Sequence, residues 1–378
     1  MRVLITGGAG FIGSHTADAL LAAGHQVRIL DILDPQIHGP AGAFPEYLDP
    51  RVEAIRGDVR SLENVSCALG GIDAVYHLAA LTGVGQSMYD MHNYTDTNTT
   101  GTATLLEAIL KSDASLKRIV LASSRAVYGE GTHFCTDHGK QFPAPRRRED
   151  MERGIYAVLC PECHRPLTSE PTAEDRPLNP ISMYAWTKKH QEDLATYAAR
   201  TFGLPVTILR YFNVFGSRQS LRNPYTGVVS IFYSRLLSEK PISLYERGTP
   251  ERDFVHISDV VAANLLALEA NCTPGTCINV GTGRSDRIGD VASALAHSLR
   301  KAPVFEDRGE FRVGDIHACV ADLGRAHTML GYEPRVGLIE GMQEFVAWAQ
   351  RHDAVDMYQK TVDELTRYGL FGQATKQS

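Results

Sequence analysis

Apolar runs alternate with helical patterns along the first two hundred residues. Arg2–Thr6 carries three successive aliphatic residues, which is typical of a strand buried on both faces. Apolar residues then recur at helical spacing from Ile12 to Gly24, and Gln26–Asp31 forms a second strand pattern. Further strands are predicted at 52–56, 74–78, 118–122 and 205–211. This alternation indicates an α/β fold, a doubly wound parallel sheet of the Rossmann type.

The alternation weakens after residue 212. Helical patterns at 228–239, 259–269, 290–300 and 338–351 are separated by short strands. They predict a smaller C-terminal α/β lobe over 213–352, with some segments returning to the sheet. Residues 353–371 alternate apolar and charged positions, so 353–378 is predicted as a C-terminal helix and tail.

A glycine-rich turn follows the first predicted strand. Gly7, Gly10 and Gly13 fall in the spacing G-x-x-G-x-x-G, which allows a tight turn and brings backbone amides to a pyrophosphate at the helix N-terminus. Asp31 ends the next strand, where a carboxylate can bind an adenosine ribose and repel a 2′-phosphate. NAD is therefore favoured over NADP, although Arg28 argues weakly the other way. The alternative is a glycine turn without a ligand.

A tyrosine and a lysine share one face of a helix that is predicted from residue 181. Tyr184 and Lys188 are four residues apart, and a neighbouring ammonium lowers the pKa of a phenol. Tyr184 could then accept a proton from a sugar hydroxyl, while Lys188 could also bind the nicotinamide ribose. Ser124 follows the strand at 118–122 and could hold the substrate oxygen. The alternatives are a surface Tyr–Lys pair and a serine that satisfies strand-end backbone groups.

Composition narrows the class of protein. Acidic residues outnumber basic ones by 44 to 38, which argues against a sequence-independent nucleic-acid partner. No apolar stretch approaches the about 20 residues that a membrane span needs, and seven cysteines are too few for a disulfide scaffold. We expect a cytoplasmic protein without a membrane or nucleic-acid partner.

Several motifs resemble the extended short-chain dehydrogenase/reductase family, in its nucleotide-sugar epimerase and dehydratase branch. The resemblance covers nearly the whole chain apart from an insert and the tail. The motifs are TGGAGFIGS (6–14), GDVRS (57–61), HLAA (77–80), NTTGT (98–102), SSRAVYG (123–129), YAWTK (184–188), RYFNVFGSRQ (210–219), RDFVHISDV (252–260), NVGTG (279–283) and RVGD (312–315).

This resemblance implies an NAD-binding Rossmann domain over 1–212 and a nucleotide-sugar-binding lobe over 213–352. It implies catalytic roles for Tyr184, Lys188 and Ser124. The implied NAD contacts are Gly7, Gly10, Phe11, Ile12, Asp31, Asp58, Val59, Leu78, Ala79, Ala80, Asn98, Ser123, Tyr184, Lys188 and Tyr211. The implied contacts to the nucleotide-diphosphate sugar are Thr82, Ser124, Asn213, Arg252 and Arg312. It also implies a homodimer, formed by the helix after Asn98 and the helix that carries Tyr184.

One departure from the family pattern bears on the reaction. Dehydratases and decarboxylases of this branch have acids in the two positions after the catalytic Ser or Thr, where this chain has Arg125 and Ala126. Elimination then lacks its proton donor, which favours a 4-epimerase. In that mechanism Tyr184 takes the C4 hydroxyl proton while NAD accepts the C4 hydride, the keto sugar rotates, and the hydride returns to the opposite face. A dehydratase or decarboxylase is the less favoured reading.

A cysteine-rich insert spans 130–179, within the first domain. It contains Cys135-x-x-His138 and, 21 residues later, Cys160-Pro-Glu-Cys163, a spacing that suits a structural tetrahedral zinc ion. His133 and His164 are rival ligands to His138, and free thiols on a loop are the alternative. The run 146–148, three arginines, is interpreted as a solvated basic loop that could border the sugar pocket.

The insert and the segment 223–232 (NPYTGVVSIF) resemble those of one subgroup of the family, the dTDP-L-rhamnose 4-epimerases. The resemblance implies interconversion of dTDP-L-rhamnose and dTDP-6-deoxy-L-talose. The alternative within the family is a UDP-hexose 4-epimerase of the UDP-glucose/UDP-galactose type.

Overall fold

The computed structural model describes residues 1–112, 114–223, 225 and 227–375. Two positions of the 223–232 segment, 224 and 226, and residues 376–378 of the predicted tail lie outside the described residues.

The strands are β1 (Arg2–Thr6), β2 (Gln26–Asp31), β3 (Glu53–Arg56), β4 (Ala74–His77), β5 (Arg118–Ser124), β6 (Thr132–Cys135), β7 (Gly139–Gln141), β8 (Thr168–Thr172), β9 (Val206–Tyr211), β10 (Asn213–Phe215), β11 (Ile242–Ser243), β12 (Glu251–Arg252), β13 (Phe254–His256), β14 (Thr276–Val280), β15 (Asp286–Arg287), β16 (Phe305–Glu306), β17 (Glu310–Arg312), β18 (Ala318–Ala321) and β19 (Phe371–Gln373). The α-helices are α1 (Phe11–Ala22), α2 (Pro35–His38), α3 (Leu62–Leu69), α4 (Val84–Ser87), α5 (Met91–Tyr94), α6 (Gly101–Lys111), α7 (Arg148–Glu152), α8 (Met183–Phe202), α9 (Val228–Leu237), α10 (Ile257–Glu269), α11 (Ile288–Ser298), α12 (Gly324–Leu330), α13 (Leu338–Ala349) and α14 (Tyr358–Arg367).

Seven parallel strands form the central sheet, in the order β14-β9-β5-β4-β1-β2-β3. Alternate residues of β1 pack on opposite faces. Ile5 joins a core with residues of α1 and α10, whereas Leu4 joins a core with residues of α3, α6 and α8. Helices thus cover both faces, and the predicted doubly wound parallel sheet is confirmed.

A second sheet joins the cysteine-rich insert to the C-terminal lobe. Its six strands run in the order β15-β12-β18-β8-β6-β7. In the insert, β6 pairs with β7 and β8, and β8 pairs with β18 from beyond residue 250. The sequence had grouped the insert with residues 1–212. The pairing of the insert with the C-terminal lobe was not predicted, because β8 is a short strand that contains Pro171, a residue typical of loops.

The C-terminal segment is shorter as a helix than the pattern predicted. It forms α14, and Gly369 then turns the chain with φ of 67°, after which β19 pairs antiparallel with β17. Gly369 interrupts the helical pattern because a left-handed residue ends a helix. No helix in the described part of the chain is both long and apolar enough to cross a membrane.

Candidate active site

The glycine-rich turn leaves the start of α1 open to a ligand. Gly7 has φ of 72°, and a Cβ on Gly13 would lie 2.3 Å from the carbonyl oxygen of Gly7. Both glycines are therefore required by the turn. The first turn of α1 has neither a capping side chain nor an acidic residue, so it suits the negative charge of a pyrophosphate.

Asp31 fixes the geometry beside this turn. Its carboxylate accepts hydrogen bonds from the amides of Ala9, at 3.0 Å, and Leu33, at 2.9 Å. These bonds tie the end of β2 to the glycine-rich turn and leave carboxylate lone pairs for a ribose. The turn, the open helix end and the acid fit the adenosine side of an NAD molecule.

One cavity of about 920 Å³ extends from the glycine-rich turn past the ends of the central strands. It has a size that accommodates a cofactor and part of a substrate. Asn98, Arg252 and Arg312 do not line it. The other residues assigned by sequence to catalysis, cofactor or substrate do line it, so the fold brings these positions together.

Tyr184, Ser124 and Lys188 all line this cavity. Burial raises the pKa of Tyr184, and a hydrogen bond with Ser124 and the charge of Arg125 oppose that effect. Burial lowers the pKa of Lys188 to about 7, and its ammonium donates to the carbonyl of Ala122 at 2.8 Å. Arg125 is therefore a cation that acts on Tyr184 in addition to the predicted Lys188, whose catalytic role stays a prediction.

Arg125 is a site residue that the sequence noted only as a missing acid. It begins the 3₁₀ turn Arg125–Tyr128 directly after Ser124 and lines the cavity. Its Nε donates to Oδ1 of Asn213 at 3.0 Å. The signal that could have revealed it is a cationic side chain in a position next to the catalytic serine.

Arg252 and Arg312 lie beside the cavity and bind one carboxylate. Arg252 is 2.8 Å and Arg312 2.6 Å from oxygens of Asp315. Arg252 also donates to three backbone carbonyls, those of 251, 316 and 317. Although burial acts to raise the pKa of Asp315, Arg312 and Arg252 hold it well below its usual range. In this arrangement Arg252 donates four hydrogen bonds within the protein, whereas Arg312 is more exposed.

Asn98 is buried behind the cavity wall. Its amide exchanges hydrogen bonds with the backbone of Leu81, at 2.8 and 3.0 Å, and donates to Thr187 of α8 at 2.9 Å. Asn98 therefore positions the loop after β4 against the catalytic helix instead of lining the cavity.

The insert brings together Cys135, His138, Cys160 and Cys163. Sγ of Cys135 is 3.5 Å from Nδ1 of His138 and 3.6 Å from Sγ of Cys163, and Sγ of Cys160 is 3.5 Å from the same nitrogen. Tetrahedral zinc, with bonds of about 2.3 Å to sulfur and 2.0 Å to nitrogen, separates its ligands by about 3.8 Å (S–S) and 3.6 Å (S–N). The four side chains thus fit one zinc ion.

The surroundings of this group distinguish among the three histidines. Nε2 of His138 faces the carboxylate of Glu162 at 3.6 Å, an arrangement that orients a ligand histidine. His133 is buried and turned towards the carbonyl of Gly131 at 2.9 Å. His133 and His164 do not belong to the group that the described residues form.

The fold and the cavity together define a dinucleotide-binding enzyme of the short-chain dehydrogenase type. A family model described as the NAD dependent epimerase/dehydratase family matches residues 3–149 and 155–281. The chain belongs to this family.

Three proteins similar to this chain, one of them with a solved structure, are named by their activity. A dTDP-L-rhamnose 4-epimerase of Burkholderia thailandensis is 35% identical, over 92% of this chain and 94% of its own. A putative UDP-glucose 4-epimerase of Methanocaldococcus jannaschii is 29% identical, over 93% and 99%. The structure of a UDP-glucuronic acid 4-epimerase from Bacillus cereus, with UDP-glucuronic acid and NAD, is 29% identical, has a TM-score of 0.76, and is matched over 93% of this chain and 99% of that one. These three proteins are thus named as nucleotide-sugar 4-epimerases that act on different sugars.

Proposed function

We propose that the protein is an NAD-dependent nucleotide-sugar 4-epimerase. The observation that carries the proposal is that Tyr184, Ser124, Arg125 and Ala126 line the same cavity as the glycine-rich turn. The positions after Ser124 contain a cation and a methyl group. Neither can donate a proton to a departing hydroxyl at neutral pH, so an oxidised C4 can only be reduced again.

The side chains of this cluster perform the proton transfers. Ser124 holds the C4 oxygen by a hydrogen bond, and Tyr184 accepts the hydroxyl proton while the C4–H bond breaks and a C4 carbonyl forms. Bound NAD supplies the acceptor of the hydride and, later, its source. After the sugar turns its other face to the cofactor, Tyr184 returns the proton to oxygen, and the opposite configuration results.

We infer that the substrate is dTDP-L-rhamnose and the product dTDP-6-deoxy-L-talose. The identity of 35% to a dTDP-L-rhamnose 4-epimerase supports this assignment, as does the resemblance of the insert to that subgroup. The test is an NMR assay of the purified protein with dTDP-L-rhamnose and no added cofactor. We expect the C4 epimer without net NADH. UDP-glucose is assayed in a parallel sample. If UDP-glucose is converted and dTDP-L-rhamnose is not, the sugar assignment is overturned. A stable keto product would overturn the epimerase assignment.

We propose that two copies associate through α6 and α8. These helices pack together and expose Leu110, Trp186 and Phe202, which are 42%, 45% and 49% exposed. Apolar side chains of this size are stabilised when a second copy covers them. Light scattering after gel filtration is expected to give twice the chain mass of 41.5 kDa. Trp186→Lys should give single chains, and a wild-type mass of one chain would contradict the proposal.

We also propose that Cys135, His138, Cys160 and Cys163 bind one structural zinc ion. Their spacings match the edges of a tetrahedral zinc site, and four protein ligands leave no open position for catalysis. Elemental analysis of the purified protein should give about one zinc per chain. Cys163→Ser should lose it, whereas Cys67→Ser, a matched change at an exposed cysteine outside the group, should retain it. Metal-free wild-type protein would contradict the proposal.

A further inference from the structure

Arg125 lines the catalytic cavity together with Ser124 and Tyr184. Ser124 ends β5, and its hydroxyl accepts a hydrogen bond from the amide of Ala126 at 3.2 Å, which starts the 3₁₀ turn. This short turn holds Arg125 against the cavity wall. Its Nε is bonded to Oδ1 of Asn213, at 3.0 Å, from the far side. Two separate segments therefore fix its position.

Arg125 forms no ion pair with a described residue, unlike Arg252 and Arg312. Arg252 and Arg312 share the carboxylate of Asp315, at 2.8 and 2.6 Å. Burial, with the charge of Arg252, lowers the pKa of Arg125 to about 10, so the group remains protonated at neutral pH. A cation without a carboxylate partner in a partly enclosed cavity favours negative charge on whatever binds beside it.

Other charged and titratable groups also surround Tyr184. On α8 itself, the ammonium of Lys188 is bonded to the carbonyl of Ala122, and burial lowers its pKa to about 7. From α5, Tyr94 faces Tyr184, and burial raises the pKa of Tyr94, which keeps it neutral. From the end of β5 come Ser124 and Arg125. Arg125 thus contributes a positive charge that acts on Tyr184.

We propose that Arg125 is a further catalytic residue, whose guanidinium contacts the C4 oxygen of the sugar and stabilises negative charge shared by that oxygen and Tyr184. The proposal rests on the proposed function and deepens it. As the C4 hydroxyl proton passes to Tyr184, the C4–H pair leaves as hydride to NAD and C4=O forms. On return, hydride adds to C4 and the proton goes back to oxygen. Arg125 keeps its own protons throughout and stabilises the charge in both directions.

The first test measures Tyr184 without any substrate. Difference absorbance titrations of the tyrosinate band compare wild type with Tyr184→Phe, and Arg125→Gln with Arg125→Gln/Tyr184→Phe. Each difference isolates Tyr184. Loss of the cation should move its titration up by about one pH unit or more. An unchanged midpoint would overturn the proposal, whichever sugar the enzyme uses, so this result is separate from any failure of the proposed function.

The second test separates catalysis from binding. With dTDP-L-rhamnose, Arg125→Gln should lower kcat by about a hundredfold, move the rising limb of the kcat–pH profile to higher pH, and leave the affinity for thymidine diphosphate within about threefold. Arg125→Lys, which keeps the charge, should recover part of kcat. A loss confined to KM and to thymidine diphosphate affinity would instead assign Arg125 to the diphosphate and overturn the proposal. Retention of bound NAD shows that each variant is folded.

Discussion

The two sides of the cavity are stabilised by different interactions. The cofactor side, which contains the glycine-rich turn and Asp31, is stabilised by apolar side chains. These alternate between the two faces of the sheet, as Leu4 and Ile5 do. The substrate side, which contains Arg252 and Arg312, also depends on buried ion pairs between the insert and the C-terminal lobe. Arg146 of the insert bonds both Glu130 and Glu246, and all three side chains are at most 4% exposed. One change of charge should therefore damage the substrate side and spare the cofactor side.

The insert is part of this substrate side. Besides its two ion pairs, Arg146 donates to the carbonyl of Asp315 at 3.0 Å, and Asp315 holds Arg252 and Arg312. The insert thus braces the arginines that the family resemblance assigns to the diphosphate. The interpretation of residues 146–148 as a solvated basic loop is wrong for Arg146, which is buried.

The largest expected effect is at the point where the two sides meet. Tyr184→Phe removes the group that moves the proton, so kcat should fall by about a thousandfold or more, with NAD still bound. Tyr368→Phe is the matched control, because Tyr368 is 51% exposed and neither lines the cavity nor belongs to α6 or α8. Turnover assays and cofactor content after gel filtration provide the measurement. Substantial turnover by Tyr184→Phe would remove Tyr184 as the base.

Arg146→Met should destabilise the substrate side selectively. It leaves Glu130 and Glu246 buried without their cation, at a cost of about 3–5 kcal/mol. We expect a lower free energy of unfolding in urea and weaker binding of thymidine diphosphate, with bound NAD retained in the native protein. Arg147→Met is the control, since that side chain is 73% exposed and its surface ion pair is worth at most about 1 kcal/mol. If Arg146→Met and Arg147→Met lowered the free energy of unfolding and the affinity for thymidine diphosphate equally, the buried ion pairs would not be what stabilises the substrate side.

Asp31→Asn should have the smallest effect and act on the cofactor side. The amide can still accept from one backbone N–H but no longer carries the charge that binds a ribose and repels a 2′-phosphate. We expect NAD affinity to fall by about tenfold or more and discrimination against NADP to narrow. The affinity for thymidine diphosphate should not change. Equal losses for NAD and thymidine diphosphate would show that the two sides are not separate.

The sequence was informative where structure depends on local pattern. The bounds of β1 and β2 are those predicted, because each strand is a short apolar run beside a turn. The glycine-rich turn and Asp31 lie together, since adjacent parallel strands end at one edge of a sheet. The spacing of the four candidate zinc ligands was also visible locally.

Long-range partners explain what the sequence could not predict. Whether Arg252 faces a ligand or Asp315 depends on segments that are 63 residues apart in the chain. The four-residue spacing places Lys188 on the same helix face as Tyr184, but it could not show that the ammonium also binds the carbonyl of Ala122. The position of Arg125 depends on a hydrogen bond to Asn213, 88 residues away. Burial and charge pairing of this kind are set by the tertiary fold.

The central claim is that C4 is oxidised and then reduced by the same hydride. The most direct measurement is the fate of a deuterium label at C4 of dTDP-L-rhamnose, followed by NMR in ordinary water with no cofactor added. The account predicts that both epimers at equilibrium retain the deuterium at C4. Replacement of that deuterium by solvent hydrogen would contradict it, because inversion would then proceed by proton exchange at carbon.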